Sequence, residues 1–207
     1  SPNENLKWES TAIVDVGLEL GLFNNRVTAV VDYYRKETTD LLFQVPAADE
    51  SGIPGFAINS NLGKIENKGW EFELNADIIR TPDLKWTVGG NISFLENKIL
   101  ELPDNDGDGI GDDIEPGDAF NLIFREGEAI NAFFLLRYDG VDPETGRPLY
   151  LDADGNSMFL DELPEGENRV LLDKSPIAKF EGGFFSTISY KGFGLRTDFV
   201  YKSGNWI

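Results

Sequence analysis

The residues best suited to chemistry lie in one tract. Asp104-Asn105-Asp106-Gly107-Asp108-Gly109-Ile110-Gly111-Asp112-Asp113-Ile114-Glu115 fits the calcium loop D-x-D-x-D-G-x5-E without a mismatch. In that pattern Asp104, Asp106 and Asp108 offer carboxylates from the first, third and fifth positions, and Gly109 makes the sharp turn. Ile110 offers its carbonyl, Asp112 acts directly or through water, and Glu115 closes the shell as a bidentate ligand. Hard Ca2+ suits an all-oxygen set, and these carboxylates repel one another without a cation. Leu102-Pro103 and Pro116-Gly117 flank the tract, so no helices frame it as they would in an EF-hand. The pattern therefore points to Ca2+ stiffening a surface loop, with a solvated acidic loop as the alternative. Asp152-Ala153-Asp154-Gly155-Asn156-Ser157 is a shorter echo that reads better as a turn.

Other chemistry is narrowly bounded. The 207 residues include no Cys and no His, so thiolate, disulfide and imidazole chemistry are excluded. Glu71 and Glu73 stand two apart on one strand face, a spacing that a retaining glycosidase could use. No apolar setting that would raise one pKa surrounds them, and the sequence gives no catalytic residues. The Gly-rich stretches lack the Gly-Lys-Ser/Thr of a phosphate loop. A net charge of −19 argues against nucleic acid. That charge is concentrated: residues 101–168 hold 19 of the 37 acidic residues and 3 of the 18 basic ones. The pattern is a nearly neutral scaffold carrying one acidic excursion.

The scaffold reads as strands. Trp70 to Ile78 alternates, with apolar residues at even positions and Glu71, Glu73, Asn75 and Asp77 at odd ones. Thr81-Pro82-Asp83 turns the chain, and Lys85 to Phe94 alternates again, with Asn91 on the polar side. Earlier, Trp8–Leu20 and Val27–Lys36 form a similar pair around Gly21 to Asn25. Later, Ile177–Tyr190 and Phe193–Lys202 form another around Lys191-Gly192. Pro46, Gly52, Pro54, Gly55 and Gly63 punctuate residues 41–66 as a long loop, and residues 99–175 form a longer one. Connections thus run short, long, short, long, short. That ordering, with no apolar run of about 18 residues, suits an antiparallel transmembrane β-barrel better than a helical membrane protein. Lipid-facing residues then include Phe72, Leu74, Ile92 and Phe94, while Glu71, Glu73, Asn75, Asp77 and Asn91 line a wet lumen. Trp8, Trp70 and Trp206 fall toward the long-loop end and Trp86 toward the short-turn end, as girdles at two membrane interfaces would. Six strands cannot close a membrane barrel, so the chain reads as part of a longer one. The alternative is a soluble β-sandwich adhesion module with a calcium loop, its apolar face buried under a second sheet.

Four segments carry a family likeness. Asn5-Leu6-Lys7-Trp8-Glu9 leads into a strand. Gly21 to Arg26, with Asp32-Tyr33-Tyr34-Arg35-Lys36, makes a hairpin. Glu66-Asn67-Lys68-Gly69-Trp70-Glu71 opens another strand. Gly140 to Gly146, Glu181-Gly182-Gly183-Phe184 and Tyr190-Lys191-Gly192-Phe193 complete the series. In order and spacing these resemble the late barrel of the SusC/RagA family of TonB-dependent outer-membrane transporters of the Bacteroidota. The resemblance spans nearly all of 1–207 as a partial barrel domain. It implies about six strands of a 22-stranded barrel in the outer membrane of a Gram-negative bacterium, completed by further strands and a plug. It also implies TonB as energy source, a SusD-like surface lipoprotein as partner, and an oligosaccharide or oligopeptide as cargo.

Overall fold

The computed structural model describes residues 6–46, 57–104, 106–115, 121–164, 168–172 and 174–206, with side chains omitted at 43–46, 57–60 and 62. Six long strands form one antiparallel sheet: β1 (Ser10–Leu22), β2 (Val27–Pro46), β3 (Ala57–Arg80), β4 (Leu84–Glu101), β11 (Phe180–Tyr190) and β12 (Phe193–Ser203). Their spatial order is β1-β2-β3-β4-β11-β12, so each strand lies beside its neighbour in sequence, and β1 and β12 are the two edges. The short turns run at positive φ: Phe23, Asn24 and Asn25 at 55–57°, and Lys191-Gly192 at 47° and 90°, with Asn and Gly the residues that adopt it readily. No described helix is long and apolar enough to cross a membrane.

Register converts the alternation into two continuous faces. Leu18, Val31, Phe72 and Ile92 are successive cross-strand partners, and Leu20, Ala29, Leu74, Gly90, Phe184 and Phe199 make the next row. On the other face run Asp32, Glu71, Ser93, Glu181 and Lys202. Among the described residues no second sheet covers the apolar face. Val16, Leu74 and Leu195 remain 63%, 54% and 65% exposed, which rules out the sandwich reading among the described residues. A groove of about 580 Å³ on the polar face takes residues from β2, β3, β4, β11 and β12, including Asp32, Glu71, Asn91, Glu181 and Lys202. The polar face is therefore concave, the curvature a barrel wall requires.

Three expectations need correction. Residues 41–66 are not one long loop: β2 runs to Pro46 and β3 starts at Ala57, paired from Leu41↔Leu62 to Pro46↔Ala57. Gly63 is part of this strand pair, and Gly52, Pro54 and Gly55 lie outside the described residues. Pairing skips Asp40 and Gly63, which face each other with φ of 54° and 26°. β11 begins at Phe180 rather than Ile177, and β1 at Ser10 rather than Trp8. Finally, the acidic excursion is folded. It holds β5 (Leu122–Ile123), β6 (Ala132–Leu135) and β10 (Val170–Leu171) in one small sheet, and β7 (Arg137–Val141), β8 (Pro148–Leu151) and β9 (Ser157–Phe159) in another.

The buried core sits where that excursion meets the wall. Ile65 of β3 and Ile99 of β4 lie on the concave side, in phase with Glu71 and Asn91. They join Leu102 and Phe124 in one cluster, with Leu41, Ile114 and Ile130 against it. A second cluster, Ile123, Ala132 and Phe134, lies within the small sheet. The excursion thus folds inward over the upper wall.

Candidate functional site

The convex face divides into two zones along each strand. Its apolar band runs on β4 from Leu84 and Trp86 to Phe94. Ten residues span about 33 Å along a strand and about 25 Å across a membrane at a tilt near 40°, which matches the apolar band of a barrel. Tyr33, Trp70, Phe94 and Phe180 form one cross-strand row at its upper rim. Their rings meet in sequence at centroid distances of 5.0 Å (Tyr33–Trp70) and 6.2 Å (Phe94–Phe180), and Phe72 bridges Trp70 and Phe94 at 6.2 Å each. Beyond this rim the same face turns charged. Glu66, 6% exposed, is held by Arg35 at 2.5 Å and Lys68 at 3.3 Å; Lys68 also reaches Glu96 at 2.9 Å, and Glu37 joins Arg35 to Lys64. Such a belt of paired charges directly above an aromatic row is the chemistry of an interface between hydrocarbon and water.

The tryptophans distribute unevenly over this pattern. Trp70 stands in the upper row, and Trp86 stands at the lower end, opposite Ile79 and Ile188, with its indole N–H on Ser186 Oγ at 3.0 Å. Trp8 precedes β1 and is 89% exposed. Trp206 follows β12, its N–H on Ser175 O at 3.0 Å and its ring 3.7 Å from Lys174 Nζ. Both lie beyond the upper rim rather than in it.

The concave face carries the polar residues expected in the lumen. Glu71, Glu73, Asn75, Asp77 and Asn91 all point to this side. Glu73 accepts from Asn75 at 2.7 Å, Asp77 from Thr87 at 2.8 Å, and Asn91 from the Gly183 N–H at 2.9 Å. Several glycines here lie beneath a neighbour's side chain. The Tyr34 ring covers Gly69, and Asn75 lies over Gly89.

The acidic tract resolves into two halves with different partners. Oxygens of Asp104, Asp106 and Asp108 lie within 4.8 Å of one another, and the three residues are exposed. Asp104 accepts from the Gly107 and Gly109 N–H groups at 2.7 and 2.9 Å, and these bonds hold its carboxyl below the usual range. Gly107 and Gly109 adopt φ of 80° and 89°, as the tight winding requires. Glu115 is not brought to this cluster. Arg169 takes it with two bonds of 2.7 and 2.6 Å, and Arg125 similarly grips Asp113. Both guanidiniums lie over the Phe134 ring, at 5.6 Å for Arg125 and 4.6 Å for Arg169. Ile114 between these acids exchanges backbone hydrogen bonds with Phe124. The distal half is therefore clamped to the small sheet, and the twelve-position ligand set is not assembled. Arg169 stands 54 residues from Glu115, so no local signal could have announced the pairing. The echo at Asp152 is a turn: its buried carboxylate accepts from Asn156 N and Nδ2 at 2.7 and 2.9 Å.

Comparison with known proteins decides the lineage. The family model for the TonB dependent receptor-like β-barrel matches residues 1–157. The chain belongs to this family. TonB-dependent receptor P3 of Formosa agariphila is 35% identical over 99% of the chain, which spans 21% of that protein. TonB-dependent receptor SusC of Bacteroides thetaiotaomicron is 32% identical over 99% of the chain and 20% of its own length. Among solved structures, the RagAB peptide transporter superposes with a TM-score of 0.83 at 30% identity, covering 99% of the chain and 22% of that one. The RagAB peptide importer in its "open-open" state gives 0.81 at 29% identity, with the same coverage. The chain is thus a SusC/RagA-like barrel segment spanning about a fifth of these relatives. The family consists of outer-membrane barrels that act in transport.

Proposed function

We propose that this chain is one stretch of the outer-membrane wall of a SusC-like TonB-dependent importer. The observation that carries this is the uncovered convex face, apolar over a membrane's thickness and capped by an aromatic row and a charged belt. Further strands pair with the edges of β1 and β12, and a plug fills the concave side, where Glu71, Glu73, Asn75, Asp77 and Asn91 keep the wall wet. The cargo is an oligosaccharide or an oligopeptide, energised through TonB, with a SusD-like lipoprotein above the folded excursion. RagAB's description as a peptide transporter supports the cargo class, and the name SusC supports the family of partners. The test is fractionation of the full-length protein. It should sediment with outer membrane and migrate faster on gels before boiling than after; recovery in the soluble fraction without detergent would overturn the reading.

The acidic loop is the proposed cation site within this frame. Asp104, Asp106 and Asp108 fit Ca2+ as three converging hard oxygen donors, with the Ile110 carbonyl and Asp112 as further donors. Glu115 stays with Arg169. Calorimetry of the chelator-stripped full-length protein in low salt should give a Ca2+ heat that Asp106→Asn removes. A heat unchanged by that substitution would sink the assignment.

A further inference from the structure

Above Leu95, whose N–H still reaches Lys179 O at 2.9 Å, the seam between β4 and β11 opens. β11 begins opposite Phe94, whereas β4 continues to Glu101. There Ile99 bonds to the excursion instead, its N–H to Glu128 O at 2.8 Å and its carbonyl to the Gly127 N–H at 2.9 Å. Between these contacts lies a recess of about 240 Å³ whose walls include Lys98, Lys174 and Lys179. Three lysines around one recess invert the composition of a chain with 37 acidic and 18 basic residues. Lys7, Lys64, Lys68 and Lys202 each have a carboxylate within 4.0 Å; among the described residues these three have none, as is also true of the scattered Lys36, Lys85 and Lys191, and what sets them apart is that they share one recess. The recess also presents Glu96 and Glu128. Glu96 is held by Lys68 at 2.9 Å. Lys174 in turn lies against the Trp206 ring at 3.7 Å.

Depth narrows the occupant. Lys98 is four residues beyond Phe94 on the same face, about 13 Å along the strand and about 10 Å above the aromatic rim at a tilt near 40°. That is the headgroup layer, where long cationic side chains and Trp settle. We propose that this recess binds the phosphate of an outer-leaflet lipid headgroup, with Lys98, Lys174 and Lys179 as its cations and Trp206 as the interfacial anchor. The proposal rests on the membrane-wall reading above.

The test measures how much phosphorylated or dephosphorylated lipid A the full-length protein retains in detergent micelles. Lys98→Gln/Lys174→Gln/Lys179→Gln should weaken retention of the phosphorylated lipid about 10- to 100-fold, since each surface cation contributes a several-fold factor. The charge-matched control Lys36→Gln/Lys85→Gln/Lys191→Gln should leave it unchanged, and the corresponding triple Arg variant should keep it. Equal loss in both glutamine triples, or no preference for phosphorylated lipid, overturns the proposal. So does inorganic phosphate displacing the lipid at matched phosphate concentration, which would assign the recess to a free anion. Should the triple variant lose its heat-modifiable migration, the single Lys174→Gln is read instead, with a several-fold loss expected and no loss overturning the proposal. Absence of that migration in the unsubstituted protein refutes the barrel itself, a separate result.

Discussion

Leu74→Arg places a guanidinium near the middle of the convex apolar band. Leu74 is 54% exposed, between Ala29 and Gly90 in register and between Phe72 and Ala76 along its face. It lies four residues from Trp70, about 13 Å along the strand and about 10 Å below the rim. Arginine at the bilayer midplane of a barrel costs about 2–4 kcal/mol, falling to about 0–1 near the interface. The expected loss is therefore about 30- to 700-fold in the folding equilibrium. Trp70→Arg, at the rim, should cost only about 1–2 kcal/mol, most of it lost ring contact with Tyr33 and Phe72. Asn75→Arg is the internal control: one residue further on, it points to the concave side and should cost no more than about 1 kcal/mol, the order of its lost hydrogen bond to Glu73. The assay is denaturant-dependent folding of the full-length protein into phosphatidylcholine vesicles, read by gel migration before boiling. Equal costs at positions 74 and 75, or a larger cost at 70 than at 74, would refute the assignment of faces and of depth.

Further predictions concern the loop and the wall. Glu115→Gln should leave the Ca2+ heat intact but speed proteolysis of the excursion, because it breaks the bidentate grip of Arg169; loss of the heat would restore Glu115 as a ligand. The Asp104 carboxyl is held below its ordinary value by the Gly107 and Gly109 N–H groups, so its contribution is present above the unfolded pKa and lost as pH falls through the folded one. Amide protection at Gly107 and Gly109, corrected for intrinsic exchange, should therefore persist down to the ordinary carboxylate range and fail only below it, and earlier failure would contradict the geometry. Gly69→Ala should destabilise folding by about 1–3 kcal/mol, since the added carbon would lie 2.3 Å from Phe94 O and 2.7 Å from Tyr34 Oη; Gly194→Ala, whose nearest neighbour is at 3.9 Å, should cost less than half as much.

The membrane-facing part of the fold was legible because its signal is strictly periodic. Trp70 to Ile78 and Lys85 to Phe94 alternate without interruption, and register follows once one face must be apolar. Residues 41–66 misled because Pro46 and Gly63 are turn residues by type, yet here one ends a strand and the other makes a paired irregularity inside it. The excursion misled for a different reason. Strands of two to five residues, such as β5 and β7, are too short for a period to register, and their order comes from distant partners such as Phe124 and Ile99. At the acidic tract the local spacing located the Asp104–Asp106–Asp108 cluster. The fate of Glu115 depended on Arg169, which no spacing rule reaches.

The facing pair Asp40 and Gly63 has a consequence for how such a wall can change. One residue is skipped on each strand at the same height, so hydrogen bonding resumes in step while inside and outside exchange on β2: Thr39 belongs to the convex face, and Leu41 two positions on joins the concave core. The lower strand answers to lipid, the upper strand to the excursion, and the joint insulates one set of demands from the other. Upper segments could be lengthened, shortened or given new inward side chains in matched pairs without moving a single lipid-facing residue. A rim that diversifies above a barrel that stays fixed needs a joint of this kind.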